Sequence, residues 1–186
     1  INSFVIRTTY YLTFLINECW KLSGKSEGQG ARFAIKRGTI KSLNEAFNHH
    51  SSGKRADIVI NATGLLSREL EDLEPVEKKK LYPVRGVVYI VKNNTGVKDM
   101  ISVEIDKEGE SLYLMPRREG ELIIGGCFQI NSETKYVDDG LRSRILGRCP
   151  QYLPEYNWTD LEIVREQVGF RPFREGGFRI ERKGHI

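Results

Sequence analysis

Four segments in the second half of the chain, VRGVVYIVK, SLYLMPR, GELIIGGCFQI and LEIVREQVGFRP, carry strand-like residues and are separated by turn residues. That pattern commits this half to a sheet. PRREGEL, with its glycine between two such runs, predicts a hairpin. One short helix, roughly DDGLRSRILGRC, interrupts the series between the third and fourth segments. Within the third segment two adjacent glycines, Gly125 and Gly126, stand where glycine ordinarily weakens the ladder and offers nothing to pack. A bare pair in a strand marks a bulge, or a place where a ligand or a second backbone comes close.

The first half reads differently. After Thr8 or Thr9 as N-cap, Leu12, Leu15, Ile16, Cys19 and Leu22 recur at helical spacing, and Gly24 supplies the stop. GKSEGQG reads as a loop, and ARFAIKRGTIKSL as one or two short strands about Arg37-Gly38. Ser42 and Glu45 have the spacing of a capping box for a short turn over SLNEAFNHH. ADIVINATG, residues 56 to 64, is a near-continuous apolar run ending in small residues, the pattern of a strand buried on both faces of a parallel sheet. Its carboxyl end lies where open α/β sheets place their ligands, or is a tight strand-to-helix turn with no ligand. Pro75 and Pro83 bracket a crossing between subdomains, and Lys78-Lys79-Lys80 and Arg117-Arg118 read as solvated loop charge. The fold class is α+β: residues 1–80 as one piece of a ligand-binding α/β sheet, 81–174 as an antiparallel-rich subdomain, and 175–186 as the start of a return.

Composition narrows the function. A formal charge of +4 from 29 basic and 25 acidic residues, spread along 186, outlines no basic face, so nucleic acid is not implied. Cys19, Cys127 and Cys149 are odd in number and far apart, which argues against a disulfide framework or zinc site and for a reducing, intracellular compartment. His49, His50 and His185 have no ligand spacing, so no metal is expected. No run is long enough to span a membrane; Tyr10 to Ile16 is too short. The first residue is Ile1 where a complete gene product would show Met, so the chain is expected to be a piece of a longer one.

A site for a small zwitterion needs a planar bidentate donor for the carboxylate, a second donor to orient it, and an apolar wall. Arg171 in VGFRPFR, Tyr113 ahead of LMP, and Phe128 two residues beyond Gly126 supply those types. Each also has a plainer reading: a surface salt-bridge arginine, two strand aromatics, and a glycine pair that serves packing.

The series INATGL, PVRGVVYIV, YLMPRREGELIIGGCFQ and VREQVGFRPFR resembles the D-amino-acid oxidase family of flavoenzymes, which includes D-aspartate oxidase. The resemblance implies part of a Rossmann-like FAD-binding α/β domain followed by an antiparallel-rich mixed-sheet substrate domain. It implies FAD as cofactor, and a D-amino acid and molecular oxygen as partners. It further implies oxidation of the D-amino acid to a 2-oxo acid with ammonia and hydrogen peroxide. On that resemblance Arg171 clamps the substrate carboxylate, Tyr113 shares it, and Phe128 lines a pocket suited to neutral or apolar side chains. Arg117 and Arg118 keep an acidic substrate open. Ile40, Thr63, Gly64, Arg85 and Gly86 correspond to positions beside the cofactor, although Val87 stands where the family often shows Gln. Gly125 and Gly126 are then expected to be bare because flavin and substrate pass close. Family members are often peroxisomal, and a homodimer stays open.

The resemblance is to the middle of such an enzyme. The G-x-G-x-x-G fingerprint that seats a pyrophosphate is not present, since GKSEGQG follows a helix rather than a strand. Nor is the family's glycine-rich carboxyl-terminal segment. A shortened, non-catalytic product with a carboxylate-binding pocket is the alternative, and it predicts a chain that folds alone. The need of ADIVINATG for neighbours on both faces argues instead for poor expression of the isolated chain. A glycine or sarcosine oxidase relative fits G-F-R-P with Tyr113 upstream less well.

Overall fold

The computed structural model describes residues 6–24, 32–105 and 109–184. They divide into two compact units, one falling within residues 1–61 and 183–186, the other Ala62–Arg182.

The second unit is built on one antiparallel sheet. Its strands are β1 (Leu81–Lys92), β2 (Ile101–Val103), β3 (Glu110–Pro116), β4 (Glu121–Cys127), β5 (Gln129–Ile130) and β6 (Ile163–Arg174). The four strand-like segments are therefore β1, β3, β4 with β5, and β6, and the short β2 adds an edge. The strands run β2-β3-β4-β1, with β5 continuing β4 along the start of β1. β6 pairs with β1 from Leu81↔Arg174 to Val91↔Ile163. Pro83 faces Pro172 in that ladder, and the backbone edge of Pro83 is turned away from it, its carbonyl accepting from the Asn131 N–H at 2.8 Å. The predicted hairpin joins β3 to β4: the Arg117 N–H donates to Glu121 O at 2.8 Å, and Gly120 takes the positive φ of 74° that the turn requires.

The predicted second-half helix is present as Asp139–Tyr152, and Asp138 caps it by accepting from the Leu141 N–H at 2.8 Å. Leu141, Ile145, Cys149 and Leu153 descend from it onto the sheet. They pack with Val87, Tyr89, Val91, Leu112, Leu114, Leu122 and Ile124 into a single core. Truncating the fully buried Ile145 to alanine is worth about 2–5 kcal/mol on general grounds. A 3₁₀ turn, Gly64–Glu69, and a short helix, Pro75–Lys80, lead into β1. The lysine run expected as loop charge is thus the last turn of a helix, where cations suit the dipole.

The first unit departs further from expectation. The helix is Thr8–Gly24, so Thr8 and Thr9 lie inside it instead of capping it. Its predicted apolar stripe is exposed, with Leu12, Leu15, Ile16 and Leu22 all open to solvent. Residues 32–40 form no strand, and residues 25–31 of the expected loop and strand lie outside the described residues. The capping box holds in modified form: Ser42 Oγ accepts from the Glu45 N–H at 3.1 Å, while the Glu45 carboxylate reaches the Lys41 N–H at 2.8 Å. This starts the turn Leu43–Ala46, which buries Leu43 and Phe47. ADIVINATG is not a strand and not buried; Ile58 is 61% and Ile60 85% exposed. A strand's hydrogen bonds come from its neighbours, and among the described residues no strand lies beside this run.

Candidate active site

The β1–β6 register decides the site. Val84 faces Arg171 and Gly86 faces Gly169, so Arg171 leans along the ladder by two pairs and lays its guanidinium over Gly86. A Cβ on Gly86 would stand 2.5 Å from Nη1 and 2.7 Å from Nη2. The same guanidinium donates from Nη1 to Cys127 O at 3.4 Å and lies 5.8 Å from the centre of the Phe128 ring.

Tyr113 reaches this cluster from β3, where it pairs with Gly125 of β4. Its ring covers that glycine: a Cβ there would lie 2.1 Å from Cζ and 2.5 Å from the hydroxyl. Burial pushes the phenol above its ordinary value of 10.0, and the Arg171 guanidinium, its electrostatic and hydrogen-bonding partner, draws it partly back. At neutral pH the hydroxyl therefore carries its proton and can donate. Gly126 is bare for another reason, since its Cβ would lie 2.2 Å from the Val87 carbonyl oxygen. The glycine pair expected to make room for flavin and substrate instead makes room for the protein's own ring and backbone.

Phe128 is 37% exposed and meets Phe173 edge-on at 5.3 Å. Thr63 and Gly64 belong to the same unit. Thr63 Oγ1 lies 2.6 Å from Ser67 Oγ, and Gly64, at φ +60°, turns the backbone against Pro172, next in chain to Arg171. Gly86 is thus under the guanidinium and Gly64 beside its strand. Arg85 is 2% exposed and its guanidinium is engaged inside the protein. Nε donates to Thr134 O at 2.7 Å, Nη1 to Gln129 Oε1 at 2.5 Å, and Nη2 to Tyr136 O. Ile40 is half-buried in the first unit. Of the two residues that keep an acidic substrate open, Arg117 is paired with Glu121 at 3.0 Å across the hairpin and Arg118 is exposed in its turn.

Three residues of this region escape a reading of the sequence. Gly169 faces Gly86, and no heavy atom lies within 4 Å of where its Cβ would stand. Bare backbone beside the guanidinium therefore borders open space, a floor that a planar group can approach. The rule that singles out Gly125 and Gly126, glycine inside a strand, applies equally to it. Arg148, 4% exposed, donates through Nη1 to Ser111 O and Gly126 O, both at 2.8 Å, and pairs with Glu110. It fastens the helix to the strand pair beneath Tyr113, and its place in the Leu141, Ile145, Cys149 periodicity puts it on the buried face. Phe173, the third, stands two residues beyond Arg171 and hence on the same side of β6.

Residues 19–186 match the model of the family DAO, FAD dependent oxidoreductase. A D-amino-acid oxidase of Fusarium vanettenii is 31% identical over 185 residues, 97% of this chain and 48% of that protein. A D-aspartate oxidase of Talaromyces thermophilus is 28% identical over 76% of the chain and 36% of its own length. Among solved structures, glycine oxidase from Geobacillus kaustophilus superposes with a TM-score of 0.53 at 23% identity, over 70% of this chain and 35% of that one, a likeness of fold. The chain spans about half the length of the curated relative that it matches over most of its length.

Proposed function

The chain belongs to the DAO family of FAD-dependent oxidoreductases, and we propose that it carries the substrate side of an enzyme that oxidises neutral D-amino acids. The observation behind this reading is the Arg171 guanidinium laid over bare Gly86, with the Tyr113 hydroxyl as its partner and the Phe128 ring 5.8 Å away.

Each side chain has a defined task. Arg171 offers two parallel N–H donors to the α-carboxylate, which holds it in a plane, and the protonated Tyr113 hydroxyl donates to the same group. Two anchors on one carboxylate restrict rotation of the substrate and aim its α-hydrogen, and positioning is much of what a protein contributes when a cofactor carries the reaction. The chemistry FAD supplies when bound is acceptance of a hydride from the α-carbon, with oxygen as final oxidant giving hydrogen peroxide and hydrolysis of the imino product giving a 2-oxo acid and ammonia. We assign Thr63, Gly64 and the backbone of Arg85-Gly86 to the cofactor; Ile40, in the first unit, is assigned to it on the family resemblance alone. The open floor at Gly169 suits a planar ring close to the clamp.

The side chain of the substrate falls to Phe128. A second carboxylate against that ring would be buried unpaired, and Arg117, spent on Glu121, is poorly placed to compensate. Neutral side chains are therefore favoured over acidic ones.

Oxygen uptake by the flavin-loaded protein with D-alanine, D-aspartate and L-alanine tests the proposal. D-alanine should be consumed, D-aspartate much less and L-alanine not at all, and Arg171→Leu should abolish uptake. Flavin-loaded protein inert toward every D-amino acid, or turnover that survives Arg171→Leu, would overturn it.

A further inference from the structure

The Phe128 ring is the first of three. Phe173 meets it edge-on, with ring centres 5.3 Å apart and planes at 86°. Tyr82, which pairs with Phe173 across the β1–β6 ladder, follows at 5.9 Å. The row has a direction. Arg171 leans toward Gly86, away from the Tyr82–Phe173 rung, and Phe128 stands between the guanidinium and Phe173. A substrate whose carboxylate is held at Arg171 thus meets Phe128 first, and a longer side chain running along the row meets Phe173 and then Tyr82.

We propose that Phe173, backed by Tyr82, is a specificity-determining residue, and that the site takes D-amino acids with flat aromatic side chains in preference to small ones. This rests on the carboxylate-clamp reading of Arg171. The physical reason lies in the corner that Phe128 and Phe173 make. Two rings near perpendicular wall a corner with their faces, so an inserted ring stacks offset on one and turns its own edge to the face of the other. Those are the two arrangements that aromatic quadrupoles favour. A methyl side chain reaches neither. Phe128 keeps 37% of its surface open, and Phe173 and Tyr82 are only half-buried, so the row is not sealed by its own neighbours.

The test compares D-phenylalanine with D-alanine, by steady-state oxygen uptake and by titration calorimetry, on the flavin-loaded protein and its Phe173→Ala and Phe173→Leu variants. Phe173→Ala should lower the ratio of kcat/KM for D-phenylalanine over D-alanine by roughly tenfold or more, the usual worth of a lost apolar wall, and Phe173→Leu, which keeps most of the volume, by less. Calorimetry should show the same order for binding alone. An unchanged ratio in both variants, with turnover intact, overturns the inference and leaves the clamp standing. Wild-type protein that neither binds nor oxidises either amino acid sinks the clamp, and the inference with it. Loss of the fold in both variants makes Phe173 a packing residue and also overturns it.

Discussion

The guanidinium of Arg171 rests on Gly86, so near that a Cβ there would stand 2.5 Å from Nη1. The obstructed atoms are the far end of a flexible side chain, and Gly86 has ordinary strand torsions. Gly86→Ala should therefore barely alter the melting temperature while pushing the clamp off its position. The expected loss in carboxylate binding is about 1.5–3 kcal/mol, the range for charge-assisted hydrogen bonds. A rise in KM for D-alanine with an unmoved melt checks it; a fallen melt would mean that β1 itself had shifted.

Gly126 is the opposite case. The Val87 carbonyl oxygen, 2.2 Å from its Cβ position, is backbone of the central strand and cannot swing aside. Gly126→Ala should destabilise the protein by about 1–3 kcal/mol or more through overpacking. Gly147→Ala is the control: it lies inside the helix Asp139–Tyr152 with no atom within 4 Å of the new methyl, and should stabilise by about 0.5–1 kcal/mol. Denaturant midpoints of the two variants moving in opposite directions would bear this out.

Removing Arg148 strands two carbonyl acceptors, Ser111 O and Gly126 O, and leaves the Glu110 carboxylate only its longer contact with Arg144 Nε, at 3.4 Å, among its ion pairs. Arg148→Met should cost about 1–3 kcal/mol, the penalty for buried acceptors left without their donor. Adding Glu110→Gln should recover part of that loss. A double-mutant cycle with no coupling would show that the pair contributes nothing beyond packing.

Glu77 gathers Lys80 at 2.7 Å, Arg174 at 2.8 Å and Arg179 at 3.3 Å. Hydrogen bonds from Lys80 and then Arg174 lower its carboxyl from 4.5 to about 2. A folded value below the unfolded one means that the contribution is complete above pH 4.5 and lost as pH falls through about 2. Acid titration of the melting temperature should show a drop in that window, and Glu77→Gln should lack it. An identical profile for both proteins would rule the network out as an acid-sensitive element.

The strands of the second unit, the β3–β4 hairpin and the helix capped by Asp138 were all legible in the sequence, because alternation, turn glycines and cap residues act over a few neighbouring positions. So were the residue types of the clamp. What ADIVINATG would become was not, since an apolar run describes a strand only where other strands supply its hydrogen bonds. Nor could the sequence say what crowds Gly125 and Gly126, that Arg85 turns inward to Thr134 and Tyr136, or that Gly169 lies open beside the guanidinium. Those facts depend on pairings between residues apart in the chain, Tyr113 with Gly125 for the glycine pair and, for the clamp, Val84 with Arg171. A slip of one residue in the latter would carry Arg171 and Phe173 to the other face of the sheet. Local chemistry chose the residues, and the register of β1 against β6 assembled them.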